Sequence, residues 1–260
     1  GVGANAYAEA VSTYLALAAS KATMFVNTLS RWRIGESKTA PAFGRQAIAM
    51  VWDFADVNPF AGAGGDFDGI IEGNARALSG FDARIAGHAV QLDAQTQTLS
   101  SGKIVSTDPP YYDNVPYADL SDYFYVWLRR TVSSVFPSLF ATISVPKQDE
   151  LVADPFRHGS KEKAENFFLI FMTKAMTAIT ALSHPEPPIT IYYAFKQSDS
   201  ETQMDRTSST GWETFLDAVC RAGMQISGTW PMRTENATRM RGMDSNALAS
   251  SIVLVCRKRS

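Results

Sequence analysis

The stretch KIVSTDPPYYDNVPYADL, residues 103–120, runs from a short β-branched segment straight into two adjacent prolines. Ile104 to Thr107 read as a strand. Pro109 and Pro110 carry no backbone N–H, so a sheet ladder has to stop there. Asp108 stands at the junction. In an open α/β sheet, ligands bind beyond the carboxyl ends of the strands. On that reading, Asp108, Pro109, Pro110 and Tyr111 occupy a functional rim.

These residue types suit one chemistry. The exocyclic amine of adenine or cytosine is a poor nucleophile, because its lone pair is delocalised into the ring. Two acceptors aimed at its hydrogens draw the nitrogen toward tetrahedral geometry and free the lone pair. The Asp108 carboxylate and the Pro109 carbonyl are candidates for those acceptors, with proline holding φ at about −65°. Tyr111 offers a flat face to an extruded base, a stacking contribution of roughly 1–3 kcal/mol in single-strand binders. Prolines and Asp are also ordinary turn formers, so the tetrapeptide alone fits a plain turn equally well. The preceding strand and the neighbouring Tyr112, Asp113 and Asn114 favour the functional reading.

Working outward, residues 6–29 predict a long helix and RWRIGESKTAP (31–41) a loop. RQAIAMVWDF (45–54) reads as either helix end or strand, and NPFAGAGGDFDG (58–69) as a glycine-rich turn before a helix from about 69 to 78. HAVQLDA (88–94) and KIVSTD (103–108) predict strands, 117–135 a helix, and 161–183 a helix apolar nearly all round. PITIYYAF (188–195) predicts a strand, Thr210 to Glu213 a capping box opening a helix that ends at Gly223, and MQISGTWPM (224–232) and SSIVLVCRKR (250–259) two final strands. This order implies an α/β fold with an open sheet and a closing antiparallel pair. Residues 1–45 form a helical N-terminal segment and 46–260 the α/β domain.

Composition excludes several classes. A formal net charge of −2 gives no global field that recruits nucleic acid, so DNA contacts fall to local basic groups. Arg233, Arg239 and Arg241 in one loop and the terminal Arg257-Lys258-Arg259 are the candidates; solvated surface charge is the plainer account of both. Two cysteines without C-x-x-C spacing and three scattered histidines argue against a structural zinc or a disulfide framework. Cys220, inside a helix, and Cys256, in a strand, read as core residues, which disfavours the thiolate chemistry of cytosine C5 methylation. The apolar segment from Ala6 to Leu29 carries Glu9 and Lys21 and reads as a buried helix, not a membrane span. A cytoplasmic protein is expected, and the chain, opening without Met, reads as part of something longer.

Asp-Pro-Pro-Tyr after a strand resembles the catalytic motif of the amino-methyltransferases, which methylate adenine N6 or cytosine N4. More closely, TDPPYYDNVPYADLSDYFYVWLRR (107–130), YAEAVSTYLALA (7–18), MVWDFADVNPF (50–60) and SNALASSIVLVCR (245–257) resemble prokaryotic adenine-specific DNA methylases associated with phage defence. The resemblance implies a Rossmann-like methyltransferase fold, whole or in part within this chain. It also implies S-adenosylmethionine as cofactor, DNA as substrate, and other subunits of a defence system as further partners. Asp108, Pro109, Pro110 and Tyr111 take the catalytic motif's places.

Such enzymes carry a glycine-rich cofactor turn of the form Asp-Pro-Phe-x-Gly-x-Gly. VNPFAGAGG (57–65) matches it, with Asn58 in place of the acid and Phe60, Gly62 and Gly64 at the other positions. Counting opposes this assignment. Only 50 positions separate Asn58 from Asp108, and a complete cofactor half needs one more strand and helix than they hold. The resemblance also places the usual glycine motif far upstream. Asp93 is a further cofactor candidate, toward the adenine amine, and a turn Asp is the competing account. Lys147, Arg157 and Lys161, in the polar stretch 144–163, are candidate phosphate contacts.

The leading expectation is therefore an S-adenosylmethionine-dependent DNA amino-methyltransferase acting on a flipped base, adenine first. RNA or cytosine N4 is the close alternative. A non-catalytic DNA-binding or assembly segment of a larger methylase is the alternative from another class. A nucleotide-binding oxidoreductase lacks support, because GAGGDF is not G-x-G-x-x-G. The loop RTENATRMRGMDSNA (233–247) is the best candidate for sequence recognition.

Overall fold

A computed structural model describes residues 3–43, 48, 50–62, 65–81, 84, 87–112, 116–194, 203–233 and 250–259. The chain divides into two units, residues 1–90 with 116–147, and residues 91–115 with 148–260. The boundary expected at residue 45 falls inside the first unit.

The second unit is built on a mixed four-stranded sheet, so the chain is α/β. Its strands lie in the order β3 (Ser106–Thr107), β4 (Ile189–Ala194), β6 (Ser250–Lys258), β5 (Met224–Arg233). β3 runs parallel to β4, while β6 is antiparallel to both β4 and β5. Three strands thus share one direction and β6 opposes them. β4 begins where Pro187 and Pro188 can no longer deprive a ladder of donors. It alternates strictly: Ile189, Ile191 and Tyr193 are buried, while Tyr192 between them is exposed. In register, Ile189 faces Cys256 and Ile191 faces Leu254, continuing the buried row onto β6. In β5 the register slips between Ile226 and Gly228, and the extra residue, Ser227, donates its hydroxyl to the Val255 carbonyl at 3.0 Å.

Helices α5 (Lys161–Leu182) and α6 (Gln203–Arg221) are the connections between the parallel strands. α5 starts at Ser160, whose Oγ accepts the Lys163 N–H at 3.2 Å. It buries Ala164, Phe168, Met172, Met176 and Ile179, a stripe at spacings of three and four. Ile170, on the other side, is half exposed, so α5 is amphipathic and not apolar all round. α6 begins at Gln203, seven residues before the expected capping box. Thr210 and Glu213 therefore lie inside the helix, where the same residue pair has no orphan amides to serve. The helix ends before Gly223, whose φ of 79° suits glycine. Phe215, Ala218 and Val219 of α6 join the α5 stripe and the inner sheet row in one core. Cys256 is in that core, whereas Cys220 is exposed, contrary to its reading as a core residue.

The terminal basic run is spent at the amino ends of the parallel strands. Arg257 donates to the Glu186 carbonyl at 3.0 Å, Lys258 to that of Ser183 at 2.7 Å, and the Arg259 guanidinium to that of Met224 at 3.3 Å. This is the edge of the sheet opposite to the one at which β3 ends.

The first unit is helical. α1 (Ala4–Ala22) packs on α2 (Phe67–Ser79) and α3 (Tyr117–Val132), beside a hairpin of β1 (Trp32–Arg33) and β2 (Lys38–Thr39). α1 stops well short of residue 29. Thr23 donates its hydroxyl to the Ser20 carbonyl, and Asn27 both donates to the Thr23 carbonyl and accepts the Leu29 N–H. Such local side-chain bonds offer the backbone an alternative to helix. After α3 the chain folds back upon it. Asp122 accepts the Val145 N–H at 2.8 Å and the Lys147 ammonium at 2.7 Å, and those bonds, Lys147 first, hold its carboxyl below the usual range. The expected strand at 88–94 does not form: Val90 and Leu92 are 63% and 56% exposed, and no strand pairs with them. Apolar alternation makes a strand only where a sheet receives it.

Burial, with Cys220 nearby adding to it, pushes the Cys256 thiol up from 9.0 to about 11. The folded chain keeps this proton between those values while the unfolded chain releases it. The associated stability is complete below pH 9 and is lost as pH rises toward 11. Denaturation midpoints should fall across that window, and fall less steeply in Cys256→Ala. An equal slope in both proteins would refute the assignment.

Candidate active site

The end of β3 is defined by what the two prolines cannot do. β3 pairs with β4 through Ser106↔Thr190 and Thr107↔Ile191. The Thr190 N–H donates to the Val105 carbonyl at 3.1 Å, and the Thr190 hydroxyl to Ser106 Oγ at 2.9 Å. Beyond Thr107 the ladder ends. Asp108 is exposed at the carboxyl end of the strand, Pro109 is buried, Pro110 is exposed and Tyr111 is half-buried. The strand ends where the missing N–H groups require, and it is shorter than its sequence suggests at the amino end, where Ile104 and Val105 are not part of it.

Having left the sheet, the chain is caught again at Tyr112. The Tyr112 N–H donates to the Tyr193 hydroxyl at 3.1 Å, and the Tyr112 carbonyl accepts the Ala153 N–H at 2.7 Å. Its ring, 5% exposed, meets Phe168 of α5 edge-on with centroids 5.1 Å apart. On another side it lies against Gly211 of α6, where a Cβ would stand 2.8 Å from a ring carbon. Only a hydrogen fits there. Tyr193 is the common partner: its ring stacks on Phe215 at 4.0 Å, and Tyr111 meets it edge-on at 5.2 Å and Trp212 tilted at 5.6 Å.

The segment carrying Ala153 is held by charge. It leads into α4 (Pro155–His158), capped by Asp154 Oδ1, which accepts the Phe156 N–H at 2.8 Å. Arg157 pairs with Glu150 at 2.6 Å and lies 3.6 Å from Asp154. Of the three expected phosphate contacts, Arg157 and Lys147 thus hold carboxylates within the chain, and Lys161 stands 3.9 Å from Glu165.

The expected cofactor residues divide between the two units, with Asp93 in the second. Asn58 to Gly65 belong to the first unit, the proline motif to the second. Residues 50–59 form no strand. Asn58 Oδ1 accepts the Phe60 N–H at 3.0 Å, and Phe60 is exposed, edge-on to Phe67 at 6.2 Å. Asp66 caps α2, one oxygen accepting the Gly69 N–H at 3.0 Å and the other the Gly62 N–H at 2.9 Å. Gly62 and Gly65 have φ of 70° and 97°, and a Cβ at Gly65 would stand 3.2 Å from the Phe25 ring. Gly64 lies outside the described residues. In the described part of the turn the Phe60 and Gly62 amides are directed at Asn58 and Asp66, a poor fit to a cofactor cradle. Asp93 is an exposed turn residue: its carboxylate accepts the Gln95 N–H at 2.9 Å and its carbonyl the Gln97 N–H at 3.0 Å. The recognition loop 233–247 lies outside the described residues apart from the backbone of Arg233, as do Asp113 and Asn114.

Tyr193, Ala153 and Gly211 had no functional reading from sequence. Only alternation in PITIYYAF marks Tyr193 as inward-facing; nothing local marks the other two. Among the described residues, no group of three His, Cys, Asp or Glu is arranged to hold a metal, and no helix is long and apolar enough to cross a membrane. Comparison with protein-family models, with curated proteins and with solved structures finds no match.

Gly211→Ala should cost roughly 1–3 kcal/mol of stability, the usual range for overpacking a fitted site. Gly73→Ala, in α2 with nothing within 4 Å of the added carbon, should instead stabilise by about 0.5–1 kcal/mol. Urea denaturation of both variants checks the pair.

Proposed function

We propose that this chain carries the catalytic motif of a DNA amino-methyltransferase, with adenine N6 as the first target. The observation that carries the reading is the exit of Asp108-Pro109-Pro110-Tyr111 from the carboxyl end of a parallel strand, with Asp108 exposed and Tyr111 half-buried. That edge is where open α/β sheets bind ligands. The Asp108 carboxylate and the Pro109 carbonyl accept the two amine hydrogens, which localises the nitrogen lone pair. Tyr111, backed by Tyr193, stacks on the flipped base.

S-adenosylmethionine supplies the methyl group on a sulfonium. The internal engagement of the Phe60 and Gly62 amides favours other residues as its holder. A Rossmann-like arrangement is consistent with three strands in one direction, and membership of the phage-defence methylases and a cytoplasmic site belong to the same proposal. The net charge and the engaged tail leave DNA contact to local groups. The connection 234–249, containing Arg239 and Arg241, is attached at Arg233 and Ser250, on the edge where β3 ends. The engaged Phe60 and Gly62 amides also favour a second reading, a DNA-binding or assembly segment without catalysis of its own.

Labelled methyl transfer by the intact protein to DNA and to RNA, followed by nucleoside analysis, separates these readings. N6-methyladenine should form in DNA, and Asp108→Ala should lower kcat by about 100-fold or more with DNA affinity little changed. N4-methylcytosine or methylated RNA would move the substrate. Absence of transfer would reject the enzyme and leave the binding module, and transfer indifferent to Asp108 would reject the catalytic role of the motif.

A further inference from the structure

Tyr112 is the first residue after the motif whose backbone is held on both sides, and one of its two holders is a side chain. The Tyr112 N–H donates to the Tyr193 hydroxyl at 3.1 Å in a buried setting. Tyr193 is 2% exposed and sits at the fifth position of β4, on the inner face of the sheet. Its ring is clamped on Phe215, stacked at 4.0 Å and 15°, so its hydroxyl is directed from a rigid base. The same ring receives the edge of Tyr111. One residue, 82 positions beyond Tyr111 in the chain, therefore touches the motif through both a ring and a hydrogen bond.

We infer that Tyr193 is the positioning residue of the Asp108–Tyr111 segment. The inference rests on the amino-methyltransferase reading for its catalytic consequence, but not for its geometry. Pro109 and Pro110 contribute no N–H groups, so this stretch has fewer means than an ordinary loop of tying its backbone to the sheet. The Tyr112 amide, two residues past the prolines, is a buried donor, and Tyr193 accepts it. With that acceptor removed, a buried amide is left unsatisfied, and the backbone shifts to find another partner or water. Asp108 and the Pro109 carbonyl lie four and three positions away. An error of about 1 Å in their placement is of the size that costs roughly 100-fold in rate. Tyr193 does not touch the substrate in this account; it acts through the backbone of Tyr112.

Tyr193→Phe tests this, because it deletes one oxygen and keeps the ring stack. Tyr192→Phe, one residue away on the opposite, exposed face of β4, is the control. Two readouts are needed in the intact protein. Amide hydrogen exchange should show Tyr112 protected in the wild type and in Tyr192→Phe. In Tyr193→Phe its exchange should be at least tenfold faster, with the amides of β4 unchanged. Methyl transfer by Tyr193→Phe should show kcat reduced about 10- to 100-fold and KM for DNA and S-adenosylmethionine within about twofold of wild type. A purely structural role would lower the melting temperature while leaving kcat per folded molecule intact. An unprotected Tyr112 amide in the wild type would overturn the inference, whether or not the variant folds. So would unchanged exchange in Tyr193→Phe, or an unchanged kcat in an active enzyme. A wild type that transfers no methyl group, yet shows the exchange difference, would reject the enzymatic reading and keep the positioning of the segment.

Discussion

A buried backbone amide has to find an acceptor, and in this chain the consequences of that rule are concentrated at one sheet edge. Two prolines end β3 after a pairing of only two residues, which sends the chain out of the sheet with Asp108 at the corner. The Tyr112 amide that follows is buried outside any strand and needs an acceptor of its own. The acceptor comes from a tyrosine on β4, and the carbonyl of the same residue takes the Ala153 N–H. The motif is thus suspended between the central strand and a segment that precedes α5. Its rigidity does not come from secondary structure of its own.

The cost of that arrangement falls on the packing around it. Tyr112 can be buried only because α6 presents glycine to its ring. Tyr193 can aim its hydroxyl only because Phe215 fixes the ring plane. Ala153 is held in place by the Asp154 cap beside it and by the Glu150–Arg157 pair that brackets it. Aromatic contacts at 4–5 Å and half-buried ion pairs serve a common end, which is to hold a short proline-rich sequence without demanding strand pairing from it.

Charge is distributed by the same economy. Arg257, Lys258 and Arg259, which as sequence form a basic patch, serve as donors to carbonyls at the amino ends of β4 and β5. Long cationic side chains are well suited to satisfying orphan carbonyls at loop ends, and once so engaged their donors are turned inward while each keeps its positive charge. Asp66 does the corresponding work for amides at the start of α2, and in doing so it turns a glycine pattern suggestive of a ligand loop into a helix terminus. Glycine patterns report backbone freedom, and a helix start uses that freedom as readily as a cofactor does.

Strong local periodicity was legible without a structure. α5 with its Ser160 cap, and the strands β4, β5 and β6, lie within a residue or two of where apolar spacing and flanking prolines and glycines put them. The end of β3 at Asp108 is equally a property of the chain, since no neighbour can lend a proline an N–H. Other features needed the folded molecule. The expected strand at 88–94 has the pattern but no sheet to join. Thr210 and Glu213 have the spacing of a cap but lie inside a helix that starts at Gln203, and the end of α1 depends on competing bonds from Thr23 and Asn27. Above all, the contacts of Tyr112 with Tyr193, Ala153 and Gly211 span 41 to 99 positions of sequence. Local chemistry determines where a chain must leave a sheet, because that depends on the donors each residue carries. Which distant side chain then catches it is a matter of three-dimensional packing, and no spacing within the motif encodes it.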